Sequence, residues 1–151
     1  MDGVPPQLTA INRFPVKSCR GESLDAAVVE PWGLAGDRRW MVVDATGECV
    51  TAREEPRMLE VTADTAATDP GLPAALRLRA PGLAPLDVEQ PQGPALAVTV
   101  HGRGLEGVAA VREAGAWFGE VLGRDESLDP TMAASLVNKP PITNRQSPTN
   151  R

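Results

Sequence analysis

The chain changes its hydrophobic period once, and that change limits its folds more than any other feature. From residue 8 to residue 101 the apolar side chains come in short runs, several alternating with polar ones, separated by Gly, Pro, Asn and Asp. Alternation places successive side chains on opposite faces of an extended strand. The runs at residues 8–16, 38–44, 49–52, 58–63, 76–80, 86–89 and 96–101 are therefore read as strands, with Ala45, Thr46 and Gly47 forming a tight hairpin turn. Beyond residue 108 the period becomes helical. Val111, Ala114, Trp117, Phe118, Val121 and Leu122 fall on one stripe, and Gly123 follows where a helix commonly ends in a left-handed residue. Trp117 and Phe118 lie on that stripe and are read as core. Strands followed by one helix predict a mainly β fold, a barrel-like antiparallel sheet with one C-terminal amphipathic helix. Fourteen Gly and fifteen Pro among 151 residues suit many short elements joined by turns.

The same pattern divides the chain. Residues 1–7 are a lead, residues 8–125 carry the β domain, and residues 126–151 are expected to be a disordered or aberrant tail, because they show no sustained period. One domain of this length can bury about 70% of the surface its unfolded chain exposes, enough for a stable core.

The net charge is −5 and no Lys/Arg block is present, which argues against a nucleic-acid partner. A small anion held by a few local cations is compatible with that sign. The two cysteines, Cys19 and Cys49, match neither a disulfide framework nor a zinc spacing; each is read as a small buried side chain, and no metal site is expected. No apolar stretch approaches the roughly 18 to 20 residues of a membrane span, and no basic-then-apolar leader opens the chain. The expectation is a cytoplasmic protein without membrane contact.

Lys17 and Ser18 follow the first strand, and Arg38 opens another. Together they offer a point charge, a rotatable hydroxyl and a planar fork, the groups that grip a phosphate monoester. The plain alternative is a solvated strand-end loop. In Gly36-Asp37-Arg38-Arg39-Trp40 two readings stand: an internal ion pair in which Asp37 orients one arginine, or an arginine facing a ligand, and the two are compatible if one arginine is paired and the other is not. Gly102, Gly104 and Gly107 satisfy a G-x-G-x-x-G spacing between a strand and a helix, the pattern that lets backbone approach a pyrophosphate. The strand-rich chain before it lacks the alternating helices of such a unit, so these glycines are read as shaping a loop. His101 has no identifiable partner for general-base work, and Glu54-Glu55 reads as a solvated pair. No catalytic residue is assigned.

Three motifs carry a family resemblance: Phe14-Pro15-Val16-Lys17-Ser18-Cys19-Arg20-Gly21, the run from Gly33 to Asp44 (GLAGDRRWMVVD), and Thr51-Ala52-Arg53-Glu54-Glu55-Pro56-Arg57. In this order they resemble the N-terminal β-barrel domain of MOSC proteins, a family that includes the mitochondrial amidoxime-reducing component. The resemblance runs from about residue 8 to residue 124. It implies a molybdenum cofactor, a phosphate-bearing pterin, held between this domain and a following MOSC domain. Carried over, Lys17, Ser18 and Arg38 would contact the pterin phosphate side, with Arg53 holding the pocket's shape or charge. The resemblance also implies that the metal-ligating cysteine belongs to the downstream domain, that electrons come from flavin or iron–sulfur partners, and that an intact relative reduces N-hydroxylated compounds or transfers sulfur or oxygen. Past Arg124 the sequence departs from the family's pattern. The departure is read as truncation or a frameshift, leaving a cofactor-binding module that is inactive alone. The alternatives are a nucleotide-binding fragment using Gly102 to Gly107 and a β domain that binds nothing.

Overall fold

A computed structural model describes residues 3–140; the outermost residues of the expected lead and tail, 1–2 and 141–151, lie outside the described residues. The fold is mainly β, with antiparallel sheets and one helix. Strand β1 (Ile11–Arg13) pairs with β2 (Glu22–Leu24), and β3 (Val29–Glu30) forms a short hairpin with β4 (Gly33–Leu34). The fully buried strand β5 (Trp40–Val43) comes next. A meander follows, made of β6 (Thr62–Asp64), β7 (Leu76–Arg79) and β8 (Leu86–Val88). Then come the long hairpin of β9 (Ala95–Val100) and β10 (Arg103–Ala109), helix α1 (Arg112–Leu122) and β11 (Ser135–Asn138). Strands β5, β9, β10 and β11 form one sheet in the order β5-β11-β10-β9.

The sheets do not close into a barrel. The four-stranded sheet nevertheless has its two edges brought together by single bridges. The segment after β5 donates to both edges: Cys49 N to Thr99 O at 2.9 Å, and Val50 N to Val42 O at 2.8 Å. Strand alternation then separates two cores. Met41 and Val43 point inward with Cys49, Val98 and Val137 to fill the smaller one. Trp40 and Val42 point the other way, with Leu136, the β6–β8 meander and the stripe of α1. β5 is thus a wall with apolar surface on both sides, which is why its sequence, Trp-Met-Val-Val, carries no polar residue. Each large side chain buried this way contributes about 1.5–3 kcal/mol.

Four expectations from sequence need correction. Residues 49–52 do not form a strand: Cys49 makes only an isolated bridge to Val43 before the chain turns. Helix α1 begins at Arg112, not at residue 108, because Val108 and Ala109 pair with Asn138 and Val137 of β11 and stay extended. Residues 58–63 are a short 3₁₀ turn, Pro56–Glu60, running into β6, since Pro56 presets the turn and Met58 is the side chain it buries. The tail expected to be loose from residue 126 instead supplies β11, in the middle of the sheet between β5 and β10. Leu136 and Val137 are 1% and 0% exposed, so two apolar residues, one for each core, suffice to dock it. Gly123 does end the helix, with φ +66 and its N–H on Glu120 O. Among the described residues, no helix is long and apolar enough to cross a membrane.

Candidate functional site

The segment 14–17 runs beside the start of β5. Arg38 N donates to Phe14 O (2.6 Å), Trp40 N to Pro15 O (3.1 Å) and Lys17 N to Trp40 O (2.8 Å). These three backbone bonds bring together the two loops that sequence marked as anion-binding candidates. On their open side lies a cleft of about 610 Å³, bounded also by the β3–β4 hairpin, the tip of the β9–β10 hairpin and the residue after β11. Lys17, Arg38, Arg39, Arg103 and Lys139 face it, against the carboxylates of Glu30 and Asp37. A chain of net charge −5 thus gathers five cations and two anions around one concavity. Such a wall focuses a positive local field whatever the global sign.

Asp37 is spoken for. Its Oδ1 accepts from Phe14 N at 2.8 Å and its Oδ2 from the Arg38 guanidinium, which also lies 4.9 Å above the Phe14 ring. The loop behind it is fixed by a buried polar network. Arg13 Nε donates to Glu22 Oε1 (2.8 Å) and Arg13 Nη1 to Ala35 O (2.9 Å). Thr68 Oγ1 donates to Glu22 Oε2 at 2.8 Å, so Glu22 is satisfied from two sides. On the other wall, Lys139 N donates to Arg39 O and Arg39 Nε donates to Lys139 O, both at 2.8 Å. Lys139 is 5% exposed, and loss of hydration lowers its pKa from the ordinary lysine value, with Lys17, Arg38 and Arg39 adding to the fall.

Backbone strain marks the same place. Among the described residues, Ser18, Arg38 and His101 alone among non-glycines have positive φ, at +70, +49 and +50. Arg38 and His101 line the cleft, and Ser18 follows Lys17, which does. Each such residue costs about 1–3 kcal/mol and persists where surroundings over-determine it, commonly at functional sites. At His101 the reason is local: His101 and Gly102 (φ +75) are the central pair of a two-residue hairpin turn between paired Val100 and Arg103.

Of the residues singled out in sequence, Lys17 and Arg38 share the cleft. Ser18 sits in the turn beside Lys17 but not on the cleft wall, and Arg53 is exposed in the loop before the 3₁₀ turn, away from it. Cys19 is buried in the larger core and burial pushes its thiol up to about 12; the Cys49 thiol is also raised by burial, with Lys17 and Lys139 opposing. Glu55, expected to be solvated, accepts from Arg124 Nη2 at 3.0 Å. The glycine-rich run does not have the form a phosphate loop requires. Gly104 and Gly107 lie inside β10, an antiparallel strand, and α1 starts only at Arg112. A Cβ on Gly107 would meet Val137 Cγ1 at 2.3 Å, so that glycine permits close packing on β11. Sequence reasoning missed Lys139 and Arg103. Lys139 stands in a stretch without periodicity, and Arg103 was absorbed into the glycine pattern.

The MOSC N-terminal beta barrel domain matches residues 6–125, leaving β11 and Lys139 beyond the matched region. A mitochondrial amidoxime-reducing component 1 of Mus musculus is 30% identical over 72% of this chain and 32% of its own length. A mitochondrial amidoxime reducing component 2 of Bos taurus is 40% identical over 46% of this chain and 20% of its length, and a molybdenum cofactor sulfurase of Solanum lycopersicum 38% over 36% and 7%. The chain therefore spans a third or less of each of these relatives. A solution structure of a Bordetella bronchiseptica protein shares the fold, with a TM-score of 0.51 at 19% identity over 76% of this chain and 88% of that one.

Proposed function

The chain belongs to the MOSC N-terminal beta barrel domain family, and from that premise we propose that its cationic cleft holds the phosphate-bearing end of a molybdenum cofactor. The observation that carries this reading is the convergence of Lys17, Arg38 and Arg39 on one concavity in an acidic chain. The donor set suits a phosphate: arginine forks and an ammonium are the groups that meet its oxygens, and Asp37 keeps the Arg38 fork oriented. The metal end finds no comparable support, since Cys19 and Cys49 are both buried in cores and neither faces the cleft. When bound, the cofactor supplies oxygen- or sulfur-transfer redox chemistry, and this domain's share is to bind and orient it. The thiolate and the redox partner, of flavin or iron–sulfur type, are assigned to other polypeptide.

A calorimetric titration with a pterin monophosphate tests the reading. Saturable binding is expected, weakened about tenfold or more in Lys17→Ala and in Arg38→Ala, because each removes a charged hydrogen-bond donor. Absence of saturable binding, or two variants that bind as the parent does, overturns it.

A further inference from the structure

Lys139 breaks a rule of folding that the rest of the chain obeys. The residue is nearly enclosed, at 5% exposure, yet among the described residues no carboxylate lies within ion-pair distance of it. Outside them the sequence holds a single acidic side chain, Asp2. The groups around it repel it: Lys17 from the segment beside β5, and Arg38 and Arg39 from the entrance to β5. Arg103 and His101 stand on the hairpin that closes the cleft, and the two carboxylates there are Glu30 and Asp37, the latter already engaged by Arg38. The one acidic group acting favourably on it is the Cys49 thiol, itself raised by burial and so neutral near pH 7. An ammonium in such a place is costly unless something negative meets it.

Nor is the residue loosely placed. Its N–H and its carbonyl are both bonded to Arg39, which fixes the root of the side chain against the cleft wall. No hydrogen bond among the described residues uses the lysine nitrogen. A fixed, partly desolvated cation on the wall of a cationic cleft, with no carboxylate partner among the described residues, is arranged for a ligand that brings the missing charge.

We propose that Lys139 is a binding residue of this cleft, whose ammonium selects a dianionic phosphate monoester over singly charged anions. The proposal rests on the phosphate reading given above and adds to it a residue outside the stretch matched by the family. Selectivity follows from charge: with Lys139, Arg38, Arg39 and Lys17 around one site, a second negative charge is neutralised and a single one leaves repulsion standing. The lowered pKa of Lys139 gives the site a pH signature. Affinity rises as the phosphate loses its second proton near pH 6 and falls again as Lys139 loses its own, below the ordinary lysine value of 10.5.

The full chain is titrated with inorganic phosphate, with a pterin monophosphate and with acetate, and melted in the absence of ligand. Expected for Lys139→Met is a loss of about tenfold or more in affinity for both phosphates. The ligand-free variant should melt higher, by roughly 2–4 °C, since a partly desolvated cation facing Lys17, Arg38 and Arg39 has gone. Acetate should bind weakly or not at all to parent and variant alike. Lys139→Arg, which stays charged, should bind phosphate without the alkaline fall, and it decides the matter if Lys139→Met fails to fold. Parent-like phosphate affinity in Lys139→Met with weakened binding in Arg38→Ala would sink the role of Lys139 and leave the phosphate reading intact. Binding of neither phosphate by the parent chain overturns both. A lower melting point together with lost binding in Lys139→Met makes the residue structural and also overturns the proposal, and an unchanged alkaline fall in Lys139→Arg does the same. Inorganic phosphate matching the pterin monophosphate identifies free phosphate as a sufficient ligand; a large gap between them identifies the ester.

Discussion

Gly115 offers a test whose sign depends on where the chain runs after the helix. It occupies the interior of α1, where alanine is ordinarily preferred over glycine by about 0.8–1.0 kcal/mol. If residues 133–138 were loose, Gly115→Ala would therefore stabilise the protein by that amount. They are not loose: a Cβ on Gly115 would lie 2.2 Å from Ala134 O, 3.1 Å from Ala134 C and 3.3 Å from Ser135 Cα. These are backbone atoms that cannot rotate aside, and Leu136, two residues on, is tied to the chain before the helix by Ala110 N donating to its carbonyl at 2.8 Å. Relief requires the helix to move off β11, opening the contact between α1 and the larger core. Overpacking of this kind costs about 1–3 kcal/mol, and a contact this short belongs at the upper end. Set against the propensity gain, the net loss is about 2 kcal/mol, or roughly 4–8 °C in melting temperature for a domain of this size. Thermal and urea unfolding of Gly115→Ala measure it. Ala116→Gly, at the exposed neighbouring position, calibrates propensity alone at about 1 kcal/mol. A Gly115→Ala protein as stable as its parent, or more so, would refute the docking of β11 on α1.

Further outcomes follow from two buried groups. Glu22→Ala strands the Arg13 guanidinium, whose side chain is 14% exposed, and should cost about 3–5 kcal/mol by urea unfolding; the double variant Arg13→Met, Glu22→Leu should recover most of it. With its pKa raised from 9.0 to about 12, Cys19 should resist a thiol reagent at pH 8 until denaturant is added. Because the unfolded thiol ionises first, its contribution to stability is full below pH 9.0 and is lost as pH climbs toward about 12, which alkaline melts of the parent and Cys19→Ala would show as a difference in slope.

The sequence made β5, β7, β8, β9 and the body of α1 readable because each buries side chains at its own local period. Trp117 and Phe118, edge to face at 5.3 Å, are core as their place on the stripe implied. What was not readable depended on partners distant in the chain. Val108 and Ala109 look helical beside the residues that follow them, and only β11, some thirty positions on, holds them extended. β11 itself has two core residues in four, too few to register as a period. The site divides the same way. Lys17 and Arg38 stand in motifs with unusual chemistry, so residue type pointed to them. Lys139 is an ordinary lysine between an asparagine and a proline, and becomes notable only once β11 lies against β5. Arg13 and Glu22 gave no signal either, since an arginine and a glutamate nine residues apart are common on surfaces.

The geometry of the cleft is in the end a question of strand register. β11 pairs Asn138 with Trp40 and Leu136 with Val42, which sends Leu136 into the larger core, Val137 into the smaller, and Lys139 past the end of the pairing onto the cleft wall beside Arg39. A slip by one residue would exchange the two faces, driving Leu136 into space shaped for Val137 and turning Lys139 away from Lys17 and Arg38. The cores resist the slip because each is filled by a side chain of a different size, and the tight approach of Gly107 to Val137 resists it from the β10 side. Packing that has nothing to do with charge thus holds four mutually repelling cations in one place. That division of labour explains why the cationic wall can be assembled from residues as far apart as Lys17 and Lys139 although the one ion pair among the described cleft residues is that of Arg38 with Asp37.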